Sequence, residues 1–232
     1  MEFQRLTFYT LDGLIRPTEA PTVLTVARAL MRESRYCGNG QHWFPVGLHS
    51  LVVADLLPTE LKFHGLIHDE PECLTGDIPH DMKTKRQRAF EDMLLERFYR
   101  SIDVKPPTRA QHKLIKQADR LAVSAEVWSD CGTRCLQEIY PYTDAAGIVA
   151  NYQQRYSYAD CLDLDGAAVL EFMRRFELYK SYVNTPRLKA EALSLRTPPV
   201  VATPVDELPW DEEDEQLLNA SMRDLNGTAD SL

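Results

Sequence analysis

Apolar residues recur at three- and four-residue spacing through most of this 232-residue chain, which is the pattern of helices that bury one face. The spacing predicts helices over the segments Thr22–Glu33, Val46–Leu57, Glu60–His68, Lys83–Ser101, Arg109–Trp128, Asp144–Tyr156 and Gly166–Val183. Strand signals, which alternate at period two, are confined to Arg5–Tyr9 and Leu14–Ile15. The sequence therefore predicts an all-α fold built as a compact helical bundle.

The composition changes after residue 184. The segment 185–232 contains four basic and ten acidic residues, so it carries −6 of the formal net charge of −9. It also contains several prolines and few aliphatic side chains, which is typical of a solvated, disordered tail. A short docking motif at Leu208-Pro209-Trp210 is the alternative. We predict one domain over residues 1–184 and a proline-rich acidic tail over residues 185–232.

Charge and hydropathy restrict the partners that the chain can have. The acidic balance, with a sequence pI of about 5.2, disfavours a nucleic-acid polymer or an anionic membrane as a partner, because the mean field of the protein repels both. The chain has no apolar run long enough to span a bilayer and no signal-peptide pattern at its start, so we expect it in the cytoplasm. The five cysteines include no Cys-x-x-Cys pair and are expected to be reduced packing thiols.

Residues of metal-binding types fall on the apolar faces of three predicted helices. His49 shares the spacing of the apolar stripe of its helix, His68 and Asp69 close the next helix, and Asp119 lies inside the stripe of a third. Each has an ordinary alternative, either a hydrogen-bonded core histidine or an ion pair with a buried arginine. Unpaired polar groups are costly to bury, whereas imidazole and carboxylate together suit a divalent cation.

The order of these residues resembles a known signature. His49, then His68-Asp69, then Asp119 is similar to the H…HD…D pattern of the HD-domain metal-dependent phosphohydrolases, over residues 22–125. The run HDEPECLTGDIP, which begins at His68, resembles the HDxxE…GDxP run of the small nucleotide-directed branch, typified by bacterial 5′-deoxynucleotidases. The resemblance implies an HD-domain bundle.

A second stretch extends the resemblance. RYCG at residues 35–38, followed by FPVGLHS at residues 44–50, is similar to the R[FY]xG…YSVAxHS stretch of compact HD proteins often carried by bacteriophages. Some of those proteins remove the whole triphosphate from dATP. The chain departs from that pattern at Phe44, Pro45 and Gly47 but keeps the histidine. The departures concern details of the substrate and leave the metal site intact.

The resemblance implies a role for each matching residue. The implied ligands of a divalent ion (Co²⁺, Mn²⁺, Zn²⁺ or Fe²⁺) are His49, His68, Asp69 and Asp119. Glu72 is the implied general base or water-orienting group. The alternative for Glu72 is a carboxylate that stabilises a helix N-terminus just after Pro71. Asp77 is implied to be either the acid for the leaving oxygen or a ligand of a second ion such as Mg²⁺.

Substrate contacts are expected from the neighbouring segments. Arg35 matches the arginine of the resembled family and is the expected phosphate clamp, since a guanidinium can bind phosphate through two hydrogen bonds; Lys83 is the next cation. Tyr36 or Trp43 is expected to stack on a base, with core packing as the alternative. Ile78-Pro79 is expected to wall the base pocket.

These expectations define one leading function and its rivals. We expect hydrolysis of a deoxynucleoside 5′-phosphate by metal-activated water. The leading candidate is a dNTP (dATP) triphosphohydrolase, and the alternative is a 5′-deoxynucleotidase acting on dNMPs. A non-catalytic metal-binding HD scaffold and a phosphodiesterase for cyclic dinucleotides are the interpretations from other classes. By analogy with compact HD nucleotidases, we also expect a homo-oligomer.

Overall fold

The computed structural model describes residues 8–10, 13–79, 82–131 and 144–184. The described residues form two strands and nine α-helices, namely β1 (Phe8–Thr10), β2 (Gly13–Ile15), α1 (Val23–Leu30), α2 (Val46–Leu56), α3 (Lys62–Leu66), α4 (Glu72–Thr75), α5 (Lys85–Ser101), α6 (Arg109–Cys131), α7 (Asp144–Arg155), α8 (Tyr158–Leu162) and α9 (Ala167–Asn184). The expectation of a mostly helical fold is confirmed. The predicted disordered tail over residues 185–232 lies outside the described residues.

Local hydrogen bonds set where the helices begin. The Thr22 hydroxyl accepts a hydrogen bond from the Thr25 amide before α1. Thr84 and Gln87 form a reciprocal capping box before α5, which explains why that helix begins at Lys85 and not at Lys83 as predicted. Among the residues that the structure describes, every helix is too short or too polar to span a bilayer.

The two strands form one antiparallel hairpin. Phe8 pairs with Ile15 and Thr10 with Gly13, where the glycine takes a φ of +120° that favours a residue without Cβ. Arg97 of α5 donates a hydrogen bond of 2.7 Å to the carbonyl of Pro17, just after the hairpin. The hairpin segment is thereby attached to the helical body.

Helix α2 is the centre of the bundle. Every residue from Val46 to Ala54 is buried, and the helix packs against α1, α3, α6, α7 and α9. A helix that is apolar on all sides is stable only in such a buried position. His49, in the middle of this helix, is fully buried, so the fold delivers an imidazole to the interior and not to solvent.

The packing of α3 on α2 depends on a glycine. A Cβ at Gly65 would lie 2.4 Å from Leu57 Cδ1 and 3.3 Å from Ala54 Cα, so the two helices approach more closely there than a side chain permits. Helix α3 ends at Leu66 and turns follow it up to α4, whereas the sequence predicts one helix up to His68. This early end places His68 and Asp69 in a turn at the surface of α2.

Candidate metal centre

Three side chains from distant segments converge between α2, the turn after α3, and α6. His49, His68 and Asp119 bring one ligand atom each to within 4.8 Å of one another. The Nε2 atoms of His49 and His68 lie 3.1 Å and 3.7 Å from the same oxygen, Asp119 Oδ1. Two imidazoles and a carboxylate in this arrangement could bind a metal ion.

The fourth predicted ligand lies beside this group. Asp69 Oδ2 is 3.2 Å from His68 Nε2 and 3.6 Å from His49 Nε2. The side chain of Asp69 is only 16% exposed. The structure therefore brings all four predicted ligands to one place, with Asp69 next to the group of three.

The environment of His68 fits a metal ligand. Its Nδ1 lies 2.8 Å from the Gly65 carbonyl, which can only accept, so Nδ1 carries a proton and donates. The other nitrogen, Nε2, is buried and makes no well-aligned hydrogen bond, although Asp69 Oδ2 lies 3.2 Å from it. Burial lowers the pKa of His68, but Asp69 and Asp119 outweigh that effect and raise it to about 10. A cation is favoured here, and a metal ion at Nε2 would replace the proton.

Glu126 on α6 completes the surroundings of His49, and the sequence analysis missed it. Its Oε1 lies 2.6 Å from His49 Nδ1, and the carboxylate is 2% exposed. Burial opposes ionisation of Glu126, but Arg35 and His49 outweigh it and hold its pKa below the ordinary value. The signal was present in the sequence, since Glu126 follows Asp119 by two helical turns and so shares its face of α6.

Arg35, the predicted phosphate clamp, and its neighbour Tyr36 both contact the Glu126 carboxylate. Arg35 Nε donates to Glu126 Oε2 at 2.9 Å, and Arg35 Nη1 is 4.0 Å from Asp69 Oδ2. The Tyr36 hydroxyl donates to Glu126 Oε2 at 2.8 Å. The structure thus brings Arg35 and Tyr36 to the metal centre.

Asp77 supports the backbone of this segment. Residues Arg35–Gly38 form a short 3-10 turn in which Tyr36 and Cys37 adopt left-handed φ values of 56° and 55°, a region that residues with a Cβ rarely occupy. Asp77 Oδ2 accepts a hydrogen bond from the Tyr36 amide at 3.3 Å. The Asp77 amide in turn donates to Glu33 Oε1 at 3.1 Å. Asp77 therefore stands beside the predicted substrate segment.

Glu72 begins α4 and is almost completely buried. Its Oε1 accepts from Lys83 Nζ at 3.1 Å, and Lys83 also pairs with Glu91 Oε2 at 2.9 Å. The Oε2 atom of Glu72 is buried and has no hydrogen-bond partner among the described residues. Burial, together with the charge of Asp69, raises the pKa of Glu72 to about 8. A carboxylate of this kind can exchange a proton near neutral pH.

Helix α6 adds a cation and an imidazole that the sequence analysis did not single out. Lys116 Nζ lies 3.2 Å from Asp119 Oδ2, and the charge of Asp119 raises the pKa of Lys116. Burial lowers the pKa of His112 to about 4, and the charges of Lys116 and His68 add to this effect. Spacings of three and seven residues from Asp119 put both side chains on its face of the helix.

The remaining predicted substrate residues are Trp43, Ile78 and Pro79. Trp43 packs edge-on against Tyr158, with ring centroids 4.9 Å apart. Both rings line a cavity of about 260 Å³ that Arg35 and Tyr36 also line. On the segment after Asp77, Ile78 is partly buried and Pro79 is exposed.

Comparison with known proteins gives little further information. No family model matches the chain. A segment of 58 residues is 33% identical to the protein named "Uncharacterized protein YfdR" of Escherichia coli (strain K12). The match covers 25% of this chain and 33% of that protein, so the chain spans about a third of the length of this curated relative.

Proposed function

We propose that this protein is a metal-dependent phosphohydrolase of the HD type that acts on a deoxynucleoside 5′-phosphate. One observation carries the proposal. His49, His68 and Asp119 each bring a ligand atom to one place, and the buried His68 Nε2 faces the carboxylates of Asp69 and Asp119. The HD-type pattern of the sequence, with Asp69 beside the group, adds support.

The neighbouring side chains suit phosphate-ester hydrolysis. His49, His68, Asp69 and Asp119 would hold a divalent ion, which would supply polarisation of a phosphoryl oxygen and a lowered pKa of a bound water. Glu72 accepts the proton of the attacking water, because its carboxylate is buried within the field of Asp69 and its Oε2 has no hydrogen-bond partner among the described residues.

The hydrolysis needs no covalent enzyme intermediate. The water oxygen forms a bond to the α-phosphorus, the bond between that phosphorus and O5′ breaks, and O5′ takes up a proton. The products are a deoxynucleoside and the released phosphate chain. Asp77, which lies beside the Arg35 segment, is the proposed source of the proton for O5′.

The cations around the centre favour an anionic substrate. Arg35, Lys83 and Lys116 each lie within 4.0 Å of a carboxylate of the centre or of Glu72. A phosphate chain would exchange these carboxylate contacts for phosphate contacts. Three cations suit a triphosphate, so a dNTP triphosphohydrolase leads and a 5′-deoxynucleotidase acting on dNMPs follows, with dATP as the substrate that the resemblance implies.

Product analysis tests the proposal. Metal-stripped protein is reconstituted separately with Co²⁺, Mn²⁺, Mg²⁺ and Zn²⁺ and incubated with each dNTP and dNMP, and the products are identified by phosphorus NMR. Release of tripolyphosphate from dATP is the expected result. Orthophosphate from monophosphates alone would select the 5′-deoxynucleotidase. Metal binding with no turnover of any nucleotide would contradict the proposal and favour the scaffold.

The role of Glu72 is tested by Glu72→Gln. We expect the turnover number to fall by about 10²- to 10⁴-fold while the affinity for Co²⁺ is unchanged, because Glu72 is not among the metal-ligating residues. Glu91→Gln is the matched control, since Glu91 shares the contact with Lys83, and it should stay close to wild type. Full activity in Glu72→Gln would show that Glu72 only stabilises α4.

A further inference from the structure

One buried carboxylate connects the metal centre with the Arg35–Gly38 turn. Glu126 Oε1 binds the His49 ring at Nδ1, at 2.6 Å. Glu126 Oε2 accepts from Arg35 Nε at 2.9 Å and from the Tyr36 hydroxyl at 2.8 Å. His49 and the Arg35–Gly38 turn therefore both contact the carboxylate of Glu126.

The contact with His49 determines which ring nitrogen faces the metal position. Glu126 accepts from Arg35 and Tyr36 through Oε2, and its Oε1 is the acceptor facing His49 Nδ1. Nε2 is then the ring nitrogen that faces the metal position, 3.1 Å from Asp119 Oδ1 and 3.6 Å from Asp69 Oδ2. A carboxylate behind a metal-ligating histidine fixes the tautomer and the ring orientation and makes the ligand more basic.

The contact with the turn holds a strained backbone. Tyr36 and Cys37 both have left-handed φ values, 56° and 55°, and such conformations persist only where the surrounding structure imposes them. Asp77 holds the amide of Tyr36, and Glu126 holds its hydroxyl and the guanidinium beside it. Loss of the Glu126 carboxylate would remove the acceptor that holds the side chains of Arg35 and Tyr36 in the turn.

A simple structural ion pair would not need this arrangement. An Arg35–Glu126 pair alone would be complete with two partners, and such buried pairs contribute little to stability. Here three donors use both oxygens of one carboxylate. Glutamine has the same shape but offers only one acceptor oxygen and adds two donors, so either His49 or the turn would lose its acceptor.

We propose that Glu126 is a positioning residue that couples the metal centre to the Arg35–Gly38 turn, so that metal binding orders the substrate side and the turn in return supports metal affinity. The inference rests on the metal centre of the proposed function but not on hydrolysis. The coupling is reciprocal for binding free energies. Changes to the turn that reach the centre only through Glu126 should therefore change metal affinity.

A double-mutant cycle on Co²⁺ affinity tests the coupling. Co²⁺ is titrated into the metal-stripped full chain of wild type, Glu126→Gln, Tyr36→Phe and the double variant, and its absorption spectrum reports coordination without any turnover. We expect Glu126→Gln to weaken binding by about 10- to 100-fold. Tyr36→Phe should weaken it by about fivefold in the wild-type background and by nothing further in Glu126→Gln.

The matched control is Glu171→Gln on α9. Glu171 is also a buried carboxylate, and it accepts hydrogen bonds from Arg174 and Arg175 of its own helix. Glu171→Gln should lower thermal stability and leave Co²⁺ affinity unchanged. Circular dichroism establishes that each variant is folded before its titration.

Each contrary outcome has a definite meaning. Wild-type Co²⁺ affinity in Glu126→Gln, or equal effects of Tyr36→Phe in both backgrounds, would overturn the coupling. Wild-type affinity in Tyr36→Phe would overturn it too, and would leave Glu126 as a partner of His49 alone. These results would not touch the proposed function. Co²⁺ binding without hydrolysis by wild type would instead refute the function and leave the coupling in place.

Discussion

Two buried histidines near each other in sequence have opposite environments. His68 faces the carboxylates of Asp69 and Asp119, which outweigh burial and raise its pKa to about 10. His64 lies in the core, with its Nδ1 2.8 Å from the Tyr99 hydroxyl, and burial lowers its pKa to about 4. The carboxylates around a histidine, and not its burial, therefore distinguish the candidate ligand from the core residue.

His64 makes stability depend on pH. The unfolded chain binds a proton at His64 near pH 6.5, whereas the folded chain does so only near pH 4. Between these values the unfolded state binds more protons, so the free energy of unfolding falls as the pH is lowered through this window. The loss reaches about 3 kcal/mol at the lower end.

Urea denaturation of wild type and His64→Gln from pH 7 to pH 4.5 measures this contribution. The variant should show a flatter pH dependence of the free energy of unfolding, by the amount that His64 contributes. Tyr99→Phe removes the hydrogen bond but keeps the burial, so it should retain the wild-type slope. A slope in His64→Gln equal to that of wild type would refute the assignment.

Site residues were predictable where they follow a pattern along one element. His49, His68 and Asp119 stood out as polar groups among apolar positions, and the resemblance to the H…HD…D signature joined them with Asp69 into one implied metal site. Lys116 and Glu126 share the face of Asp119 and were open to the same argument. That Glu126 meets Arg35 was not predictable, because the two residues are 91 positions apart and periodicity carries no information on which helices pack together.

At the scale of the element, the early end of α3 creates the geometry of His68. In a continued helix the Gly65 carbonyl would accept from the amide of Asp69. Because α3 ends at Leu66, this carbonyl is available to His68 Nδ1 instead. The apolar spacing runs on through Ile67, so the sequence predicted a longer helix. Helix α4 begins at Glu72, the helix start raised as the alternative for that residue, whereas α8 was missed because an element of five residues is too short to show a period.

Replacement by alanine is predicted to have opposite effects on stability at two glycines, one at the close contact of α2 and α3 and one on α7. Gly65→Ala should destabilise the protein by about 1–3 kcal/mol, because the new methyl group would meet Leu57 and the backbone of Ala54. Gly147→Ala on α7 has nothing within 4 Å of the new Cβ and should stabilise by about 0.5–1 kcal/mol. Urea denaturation measures both changes, and the same sign for both would contradict this account of the packing.

At the scale of the whole molecule, several large apolar side chains reach solvent. Leu14, Met82, Tyr158 and Leu170 are each more than half exposed. They lie on different segments, and single exposed apolar residues are common in monomers. They are nevertheless compatible with the expected homo-oligomer, which stays a prediction.

Light scattering coupled to size exclusion tests the oligomeric state. We expect a mass of at least two chains of 26.5 kDa each that stops growing at a fixed number of copies, because most homo-oligomers are closed by symmetry. The metal-stripped protein is the control for an assembly that depends on the ion. A mass of one chain under both conditions would refute the expectation.

The spacing of the metal-ligating residues along the chain has a consequence for biosynthesis. A polypeptide emerges from the ribosome with its N-terminus first, so His49, His68 and Asp69 are translated well before Asp119 and Glu126. A nascent or prematurely terminated chain that lacks α6 has neither the third member of the group nor the carboxylate that orients His49. If His49, His68 and Asp119 bind an ion as proposed, the complete group is available only after α6 has been translated.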